Sequence, residues 1–424
     1  MLKPYPQRVA LHNEVHARPY EQLAAPLLMT HLALLMPDGD AAREHLAELL
    51  RAHHLPQPAP DASHLSIDIG GLRLRWEKHT EFQTYTFWRP LRGAAASFDG
   101  GGARGVAADW MAALPGAWIV GQHVLVTDAA AAADGEALAR RLLDEGSLVG
   151  AAVTDGQAHV YTDFRLDADG FARTVVCAGA MNPRRLGRTV QRLLEIETYR
   201  MMALLGLPVA REVAATLHDA ERELALVAGE VRSAERAEEP ELLRRLTQLA
   251  GRVESLYAHT HARFSASSAY FELVQRRVAE LREQRHAGLQ TLGEFLDRRL
   301  GPAMQTCAWA ARRQQSLSER IARISSLLRT RVEIEQQQTN QDLLDAMNRR
   351  QKAQLLLQGA VEGLSIAAVT YYGAGLVGYL AKGAKAAGLP VAPDLAVALA
   401  IPLIAGVVWW GLRRLHRRVH VDAL

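Results

Sequence analysis

The sequence predicts an α+β N-terminal cytoplasmic domain, a long helical and coiled-coil stalk, and two C-terminal transmembrane helices. Three observations lead there. Residues 1–180 alternate short strand-like runs with helical ones. Ala303 to Leu357 contains neither proline nor glycine. Gly363–Ala381 and Leu395–Leu412 carry no charge, and each approaches the 20 or so residues a helix needs to cross a bilayer. The expected division is a domain at 1–180, helical arms at 181–300, a stalk helix at 301–358 and a first span at 359–381. An outer loop at 382–394, a second span at 395–412 and a basic tail at 413–424 complete it.

In the first domain, strand-like runs fall at Leu27–Met36, Leu65–Ile69, Leu72–His79, Thr84–Trp88, Trp118–Val126, Leu148–Val153, His159–Arg165 and Phe171–Cys177. Helical runs at Asp40–His54, Val106–Leu114 and Asp134–Glu145 lie between them. The order strand, helix, several strands occurs near 27–90 and again near 118–178. This reads as a duplicated α/β unit, mixed or antiparallel, with helices on one face. Pro56–Pro60 and Gly100–Gly102 are loops.

The next 120 residues are helical. Pro183–Leu205 carries an amphipathic face of Leu186, Val190, Leu193, Leu194, Ile196 and Glu197. Helix-forming sequence resumes at Ala210, breaks at Glu239-Pro240 and runs from Glu241 to about Leu300, as antiparallel arms of a bundle or coiled coil. Gly301-Pro302 reads as a break followed by a helix start. The stalk helix carries an apolar stripe through Ile321, Ile324, Leu328, Val332, Leu343, Leu344 and Met347, interrupted by the polar run 336–341. That run suits either a solvated surface or the wall of a wet channel.

The two uncharged stretches set the location. Arg349, Arg350 and Lys352 precede the first, and Arg413, Arg414, Arg417 and Arg418 follow the second. The positive-inside bias places both termini in the cytoplasm. The start of the chain lacks an apolar leader, in keeping with that expectation. Gly359, Gly363 and Ala367 recur every four residues, a spacing that permits close helix approach within lipid, to a copy or to the second span. Glu362 should face a partner or water, or else reach the interface.

Composition narrows the chemistry. With 49% apolar and 22% charged residues in 424, the chain is neither a disordered polyelectrolyte nor a polytopic membrane protein. A formal charge of +3 is too small to imply a nucleic-acid partner. Cys177 and Cys307 are its only cysteines, which excludes a disulfide framework and a cysteine-based zinc site. His12-Asn13-Glu14-Val15-His16 has its glutamate one place too late for a zinc-protease helix. There is no phosphate-binding loop, nucleophile elbow or dinucleotide fingerprint, so the chain is read as no enzyme and as needing no cofactor. Two polar clusters remain. Asn13, Glu14, His16 and Arg18 lie on a segment read as extended, and His79, Thr80 and Glu81 lie in a turn between strands. They either hold a cation or a partner's charge, or satisfy one another structurally.

Asn13–Pro19 (NEVHARP), His79–Phe82 (HTEF), Gln191–Arg200 (QRLLEIETYR), Thr291–Leu296 (TLGEFL), Ser325–Val332 and Val361–Ser365 together resemble a bacterial family. Its members are known as predicted membrane-anchored proteins with a domain of unknown function. The resemblance spans nearly the whole chain and brings no activity with it. The architecture also resembles the CorA-type magnesium transporters, which carry Tyr-Gly-Met-Asn at the outer end of the first span. Here Tyr372-Gly373-Ala374-Gly375 keeps the Tyr-Gly and lacks the Met and the Asn that holds a hydrated cation. This second resemblance implies a ring of copies, a pentamer, in the bacterial inner membrane. The first spans would line its pore, and a divalent cation would be the transported or regulatory species. Its mouth would be formed by Tyr371, Tyr372, Gly373, Ala374 and Gly375. Its lining or packing residues would be Gly359, Glu362, Gly363, Ala367 and Thr370, with Asn340 and Asp345 on the stalk. The leading expectation is therefore a CorA-like cation channel or transporter. The alternative is a membrane-anchored scaffold or sensor that binds a protein or small ligand without conducting ions.

Overall fold

A computed structural model describes residues 3, 5–14, 19–35, 40–60, 62–91, 97–128, 134–235, 238–390 and 392–421. The chain divides into two compact units, Met1–Ser325 and Ser326–Leu424.

The first unit opens with α1 (Arg8–Glu14) and then alternates β1 (Leu27–Leu35), α2 (Ala41–Ala52), β2 (His64–Asp68), β3 (Arg73–Lys78) and β4 (Phe82–Pro90). After α3 (Ala108–Ala112) the pattern recurs as β5 (Ala117–Thr127), α4 (Gly135–Leu142), β6 (Val149–Val153), β7 (Ala158–Leu166) and β8 (Ala172–Cys177). Among the described residues these strands form one mixed sheet in the order β2-β3-β4-β1-β5-β8-β7-β6-β9, where β9 is Gln284–Arg285. Each half thus repeats the neighbour order of the other outward from the central β1–β5 pair. Strand direction does not repeat: β4 runs antiparallel to β1, whereas β8 runs parallel to β5.

Side chains alternate across a strand, so the two faces of this sheet have separate lives. On one face Leu32, Leu34, Leu74, Trp76, Tyr85 and Phe87 meet Leu46, Leu49 and Leu50 of α2 in a buried apolar cluster. Trp110 of α3 closes that cluster edge-on to Tyr85 and Phe87. In the other half, Leu28, Leu125, Val175, Cys177 and Tyr161 pack on Ala139 of α4 and on Leu143. Burial of each large side chain contributes about 1.5–3 kcal/mol, so this face is what holds the sheet against its helices. The opposite face carries Arg75, Glu77, Thr84, Thr86 and His31, and is covered by later helices.

The later helices are α5 (Pro183–Leu204), α6 (Gly206–Ser233), α7 (Glu239–Leu281) and α8 (Leu292–Ala386); α5 and α7 meet the polar face, and the division between the units falls inside α8. Asn182 caps α5 by accepting from the Arg185 N–H at 2.9 Å, with Pro183 in the first turn. In α6 the buried positions are Gly206, Ala210, Val213, Leu217, Ala220, Leu224 and Val227, alternately four and three apart. That heptad seam packs on Leu242, Leu246, Leu249 and Val253 of α7. Glu221 of α6 accepts two bonds from the Arg313 guanidinium of α8, and the Thr260 hydroxyl of α7 donates to Gln314 Oε1 at 3.1 Å in the interior.

Three expectations are corrected here. The helix does not break at Gly301-Pro302; α8 starts at Leu292 and carries Pro302 inside it. Leu296, Leu300, Met304 and Cys307 are all buried, and their packing holds the turn that a proline loosens. The actual break spans 282–291, where Arg282 adopts a left-handed conformation and β9 pairs with β6. Second, helix α6 begins at Gly206 instead of Ala210, and α7 at Glu239 with Pro240 in its first turn. Third, Asn13 and Glu14 end α1 and do not lie on an extended segment, while His16 and Arg18 lie outside the described residues.

The second unit contains the rest of α8 and α9 (Pro393–Val421). The stretches Leu292–Ala386 and Pro393–Arg414 each include a window long and apolar enough to cross a membrane. The first helix runs on to Ala386, into the stretch read as an outer loop.

The start of α8 is a capping box. Thr291 Oγ1 accepts from the Glu294 N–H and Glu294 Oε2 accepts from the Thr291 N–H, both at 3.1 Å. Glu283 takes the next two N–H groups, of Leu292 and Gly293, at 3.0 and 2.9 Å. Thr291→Ala should cost about 1 kcal/mol, read as a lowered unfolding midpoint of the detergent-solubilised chain. An unchanged midpoint would show that Glu283 alone suffices.

Candidate functional site

The polar face of the sheet is roofed by α5 and leaves a cavity of about 480 Å³ within the first unit. Its floor is Met29 and His31 of β1, Arg75 and Glu77 of β3, and Phe82, Thr84, Thr86 and Trp88 of β4. These residues share a face because the register pairs His31 with Thr86, Thr86 with Arg75 and Thr84 with Glu77. The roof is Val190, Gln191, Leu194, Glu195, Thr198 and Tyr199 of α5, and Arg277 of α7 reaches in from the side.

The remaining wall is the extended stretch Pro19–Leu23, which crosses α5 at Gly187. A Cβ at Gly187 would overlap the Glu21 carbonyl oxygen, so only glycine lets the two backbones meet there. The Leu23 N–H donates to the Pro183 carbonyl at 3.1 Å and fastens the crossing.

One hydrogen-bonded chain links these walls. Arg75 Nη1 donates to the Pro19 carbonyl at 3.1 Å and to Gln191 Oε1 at 3.2 Å, while its Nη2 donates to Glu77 at 2.8 Å. Gln191 Nε2 donates to Glu195 at 2.9 Å, which fixes the orientation of that amide. Glu195 also accepts from Arg277 Nε, and Arg277 continues to Glu280 at 3.0 Å, which Arg192 meets at 3.0 Å. The side chains of Arg75 and Glu77 are only 9% and 13% exposed, so deleting one would strand the other at a cost of about 3–5 kcal/mol.

His31 sits beneath this chain. Thr198 Oγ1 donates to the Leu194 carbonyl at 2.9 Å, so it accepts from His31 Nε2 at 3.0 Å. His31 Nδ1 is therefore the acceptor and takes the Thr86 hydroxyl proton at 2.8 Å. Burial pushes the His31 imidazole down to about 4 from 6.5, which agrees with a neutral ring donating on one side and accepting on the other. On the opposite face His123 is also held near 4 by burial, although Asp169 opposes the shift. There His123 Nδ1 lies 2.9 Å from Thr30 Oγ1, which accepts from the Gly102 N–H at 2.7 Å. That cluster pins the loop at Gly101-Gly102 to β1 and encloses no open space around Thr30, which is 1% exposed.

The predicted cluster in the HTEF turn separates. His79 stacks on Phe82 at 4.3 Å and lines the cavity, Thr80 is exposed, and Glu81 pairs with both Nη atoms of Arg263 on α7 at 3.0 and 3.2 Å. In the second unit, Gly373 and Gly378 sit against Ile404 and Val397 of α9, where an added Cβ would come within 3.1 Å of each. Ala374 is buried in the same contact. Tyr371, Tyr372, Gly375, Ala367, Gly359 and Gly363 are exposed, as are Asn340 and Asp345. Glu362 is half-buried and accepts from Gln358 Nε2 at 3.3 Å, and Thr370 is also half-buried. Among the described residues, no three His, Cys, Asp or Glu side chains gather as a metal site.

A family described as a protein of unknown function, DUF3422, matches residues 3–419. The chain belongs to that family. No curated protein and no solved structure matches it. In this DUF3422 chain, three of the segments that carried the resemblance meet at the cavity: Pro19 from the first, His79 and Phe82 from the second, and Gln191 to Tyr199 from the third. Sequence reading missed His31, Arg75, Thr84 and Arg277. A signal was present for two of them: Arg73, Arg75 and Glu77 alternate with Leu74 and Trp76, and Thr84 and Thr86 alternate with Tyr85 and Phe87. A strand buried on both sides yet polar on one points to a built polar site.

The His31 shift fixes a pH dependence. Between about pH 4 and 6.5 the unfolded chain binds a proton that folded His31 does not. Its contribution is therefore complete above 6.5 and lost as pH falls toward 4, at up to about 1.4 kcal/mol per pH unit. His31→Gln should flatten the fall of unfolding free energy with acid over that window, leaving the part due to His123. An unaltered slope would refute a neutral buried His31.

Proposed function

We propose that this protein is a membrane-anchored binding protein whose N-terminal domain takes up a small molecule at the cytoplasmic side of the bacterial inner membrane. The cavity between the polar sheet face and α5 carries the reading. It falls within the size range of small-molecule sites and is lined by convergent polar and charged groups together with apolar side chains. Its polar groups are positioned by a continuous hydrogen-bonded chain, as a preorganised site requires. The two apolar helices act as the anchor. Their basic flanks, Arg349, Arg350 and Lys352 before the first and Arg413 and Arg414 after the second, favour an orientation with the binding domain in the cytoplasm.

A second reading, an oligomeric CorA-like cation channel, is favoured by one observation. The face of the first span bearing Tyr372, Leu376 and Tyr379 is exposed. Such a face suits contact between copies in lipid. In that reading Tyr372 and Gly373 stand at the mouth and a divalent cation passes along the axis.

Two measurements separate the readings. Small molecules extracted from the purified full chain should include one bound species, absent from a Val190→Trp variant that fills the cavity. Proteoliposomes should pass Mg²⁺, Zn²⁺, Co²⁺ and Ni²⁺ no faster than empty vesicles. Flux above background that changes in Tyr372→Ala would establish the channel, and an empty cavity in the wild-type protein would remove the binding reading.

A further inference from the structure

The hydrogen-bonded chain along the cavity has an open group at each end. It runs from Glu77 through Arg75, Gln191 and Glu195 to Arg277. At the first end Glu77 Oε1 accepts from Arg75 at 2.8 Å, and Oε2 has no hydrogen-bond partner. At the other end Arg277 donates from Nε to Glu195 and from Nη1 to Glu280, and Nη2 has no partner. Both residues line the cavity, and neither open atom is shut off from solvent. Glu77 and Arg277 form no ion pair with each other. One cavity therefore presents a spare anionic acceptor and a spare cationic donor.

The frame that holds them is balanced in charge. Arg75 pairs with Glu77 at 2.8 Å, Arg277 with Glu195, and Arg192 with Glu280 at 3.0 Å, while Arg73 lies 3.6 Å from Glu21. A lone ammonium or a lone carboxylate would add a charge that this frame does not offset, and a partly buried unpaired charge is costly. A molecule carrying both adds no net charge. It also breaks no existing pair, because Oε1 of Glu77 stays on Arg75 and Nε of Arg277 stays on Glu195. Met29, Phe82, Val190 and Leu194 in the same lining offer cover for a hydrocarbon segment.

We propose that the cavity takes a small zwitterion, an aliphatic amino acid whose ammonium group donates to Glu77 Oε2 and whose carboxylate accepts from Arg277 Nη2. The ligand closes the open chain into a ring. This rests on the binding reading above and adds the charge pattern of the ligand and the two residues that select it. Each contact is a charge-assisted hydrogen bond, so losing either should weaken binding by at least about tenfold.

Three zwitterions of increasing reach test this: glycine, 4-aminobutyrate and 6-aminohexanoate. Each is compared with the acid that lacks its amine and the amine that lacks its carboxylate. Isotope-labelled probes are measured by equilibrium dialysis against the full chain in detergent at pH 7.5, with Val190→Trp as the background. The zwitterion whose ends match the gap should bind at least tenfold tighter than its own acid and its own amine. Glu77→Gln, which keeps an acceptor for Arg75, should bring that zwitterion down to the affinity of the acid. Arg277→Gln should bring it down to the affinity of the amine. A merely structural role would weaken all three probes alike and would overturn the assignment of these residues. Should a variant fail to fold, the wild-type comparison decides alone. An acid or amine that binds as tightly as its zwitterion at every length overturns the proposal and leaves the binding reading standing. Absence of binding by every probe also overturns the proposal, and the binding reading falls with it only if extraction finds the wild-type cavity empty.

Discussion

The first unit depends on a single constraint: a β-sheet covered on both faces must bury its apolar groups on one and pair its charges on the other. One face solves this with bulk hydrophobicity, through Leu74, Trp76, Tyr85 and Phe87 beneath α2. The other carries arginine, glutamate, threonine and histidine in the same strands, one residue out of step. Apolar groups tolerate many packings, whereas buried charges tolerate very few. The polar face therefore dictates where α5 and α7 are placed, since Gln191, Glu195 and Arg277 must reach Arg75 and Glu77 or one another. Close packing then stops at the point where those pairings are complete, and the space left is the cavity.

This division of labour explains several sequence features with one cause. Gly187 is needed because the Pro19–Leu23 stretch must lie directly on α5 for the Pro19 carbonyl to reach Arg75. Thr198 lies in the roof because its hydroxyl accepts from His31 while returning its own proton to the helix. Glu81, next to the cavity in sequence, does not line it and ties the strand turn to α7 through Arg263. The turn is thus partly a site, through His79 and Phe82, and partly a fastening, through Glu81.

The helical part obeys simpler rules. Spacings of three and four along α6 and α7 produce a continuous seam, and ion pairs such as Arg245 with Glu230 and Arg252 with Glu223 cross it. In the second unit, small residues at 373, 374 and 378 allow α8 and α9 to approach closely. Their contact rests on the fit of these small residues against the branched side chains of Ile404 and Val397.

Local signals determined the strands, most helices and the two apolar stretches, because each depends on patterns within a dozen or two residues. The alternation of Leu74 and Trp76 with Arg73, Arg75 and Glu77 placed β3 within a residue or two of its observed bounds. Helix ends were less legible. Gly301-Pro302 has the form of a stop, yet four buried neighbours override it, whereas the true start was written in Thr291-x-x-Glu294 and went unread. The cavity belongs to the tertiary structure. His31, Arg75, Gln191 and Arg277 are far apart along the chain, and charges at such distances acquire partners only when strand register and helix placement bring them within hydrogen-bonding reach.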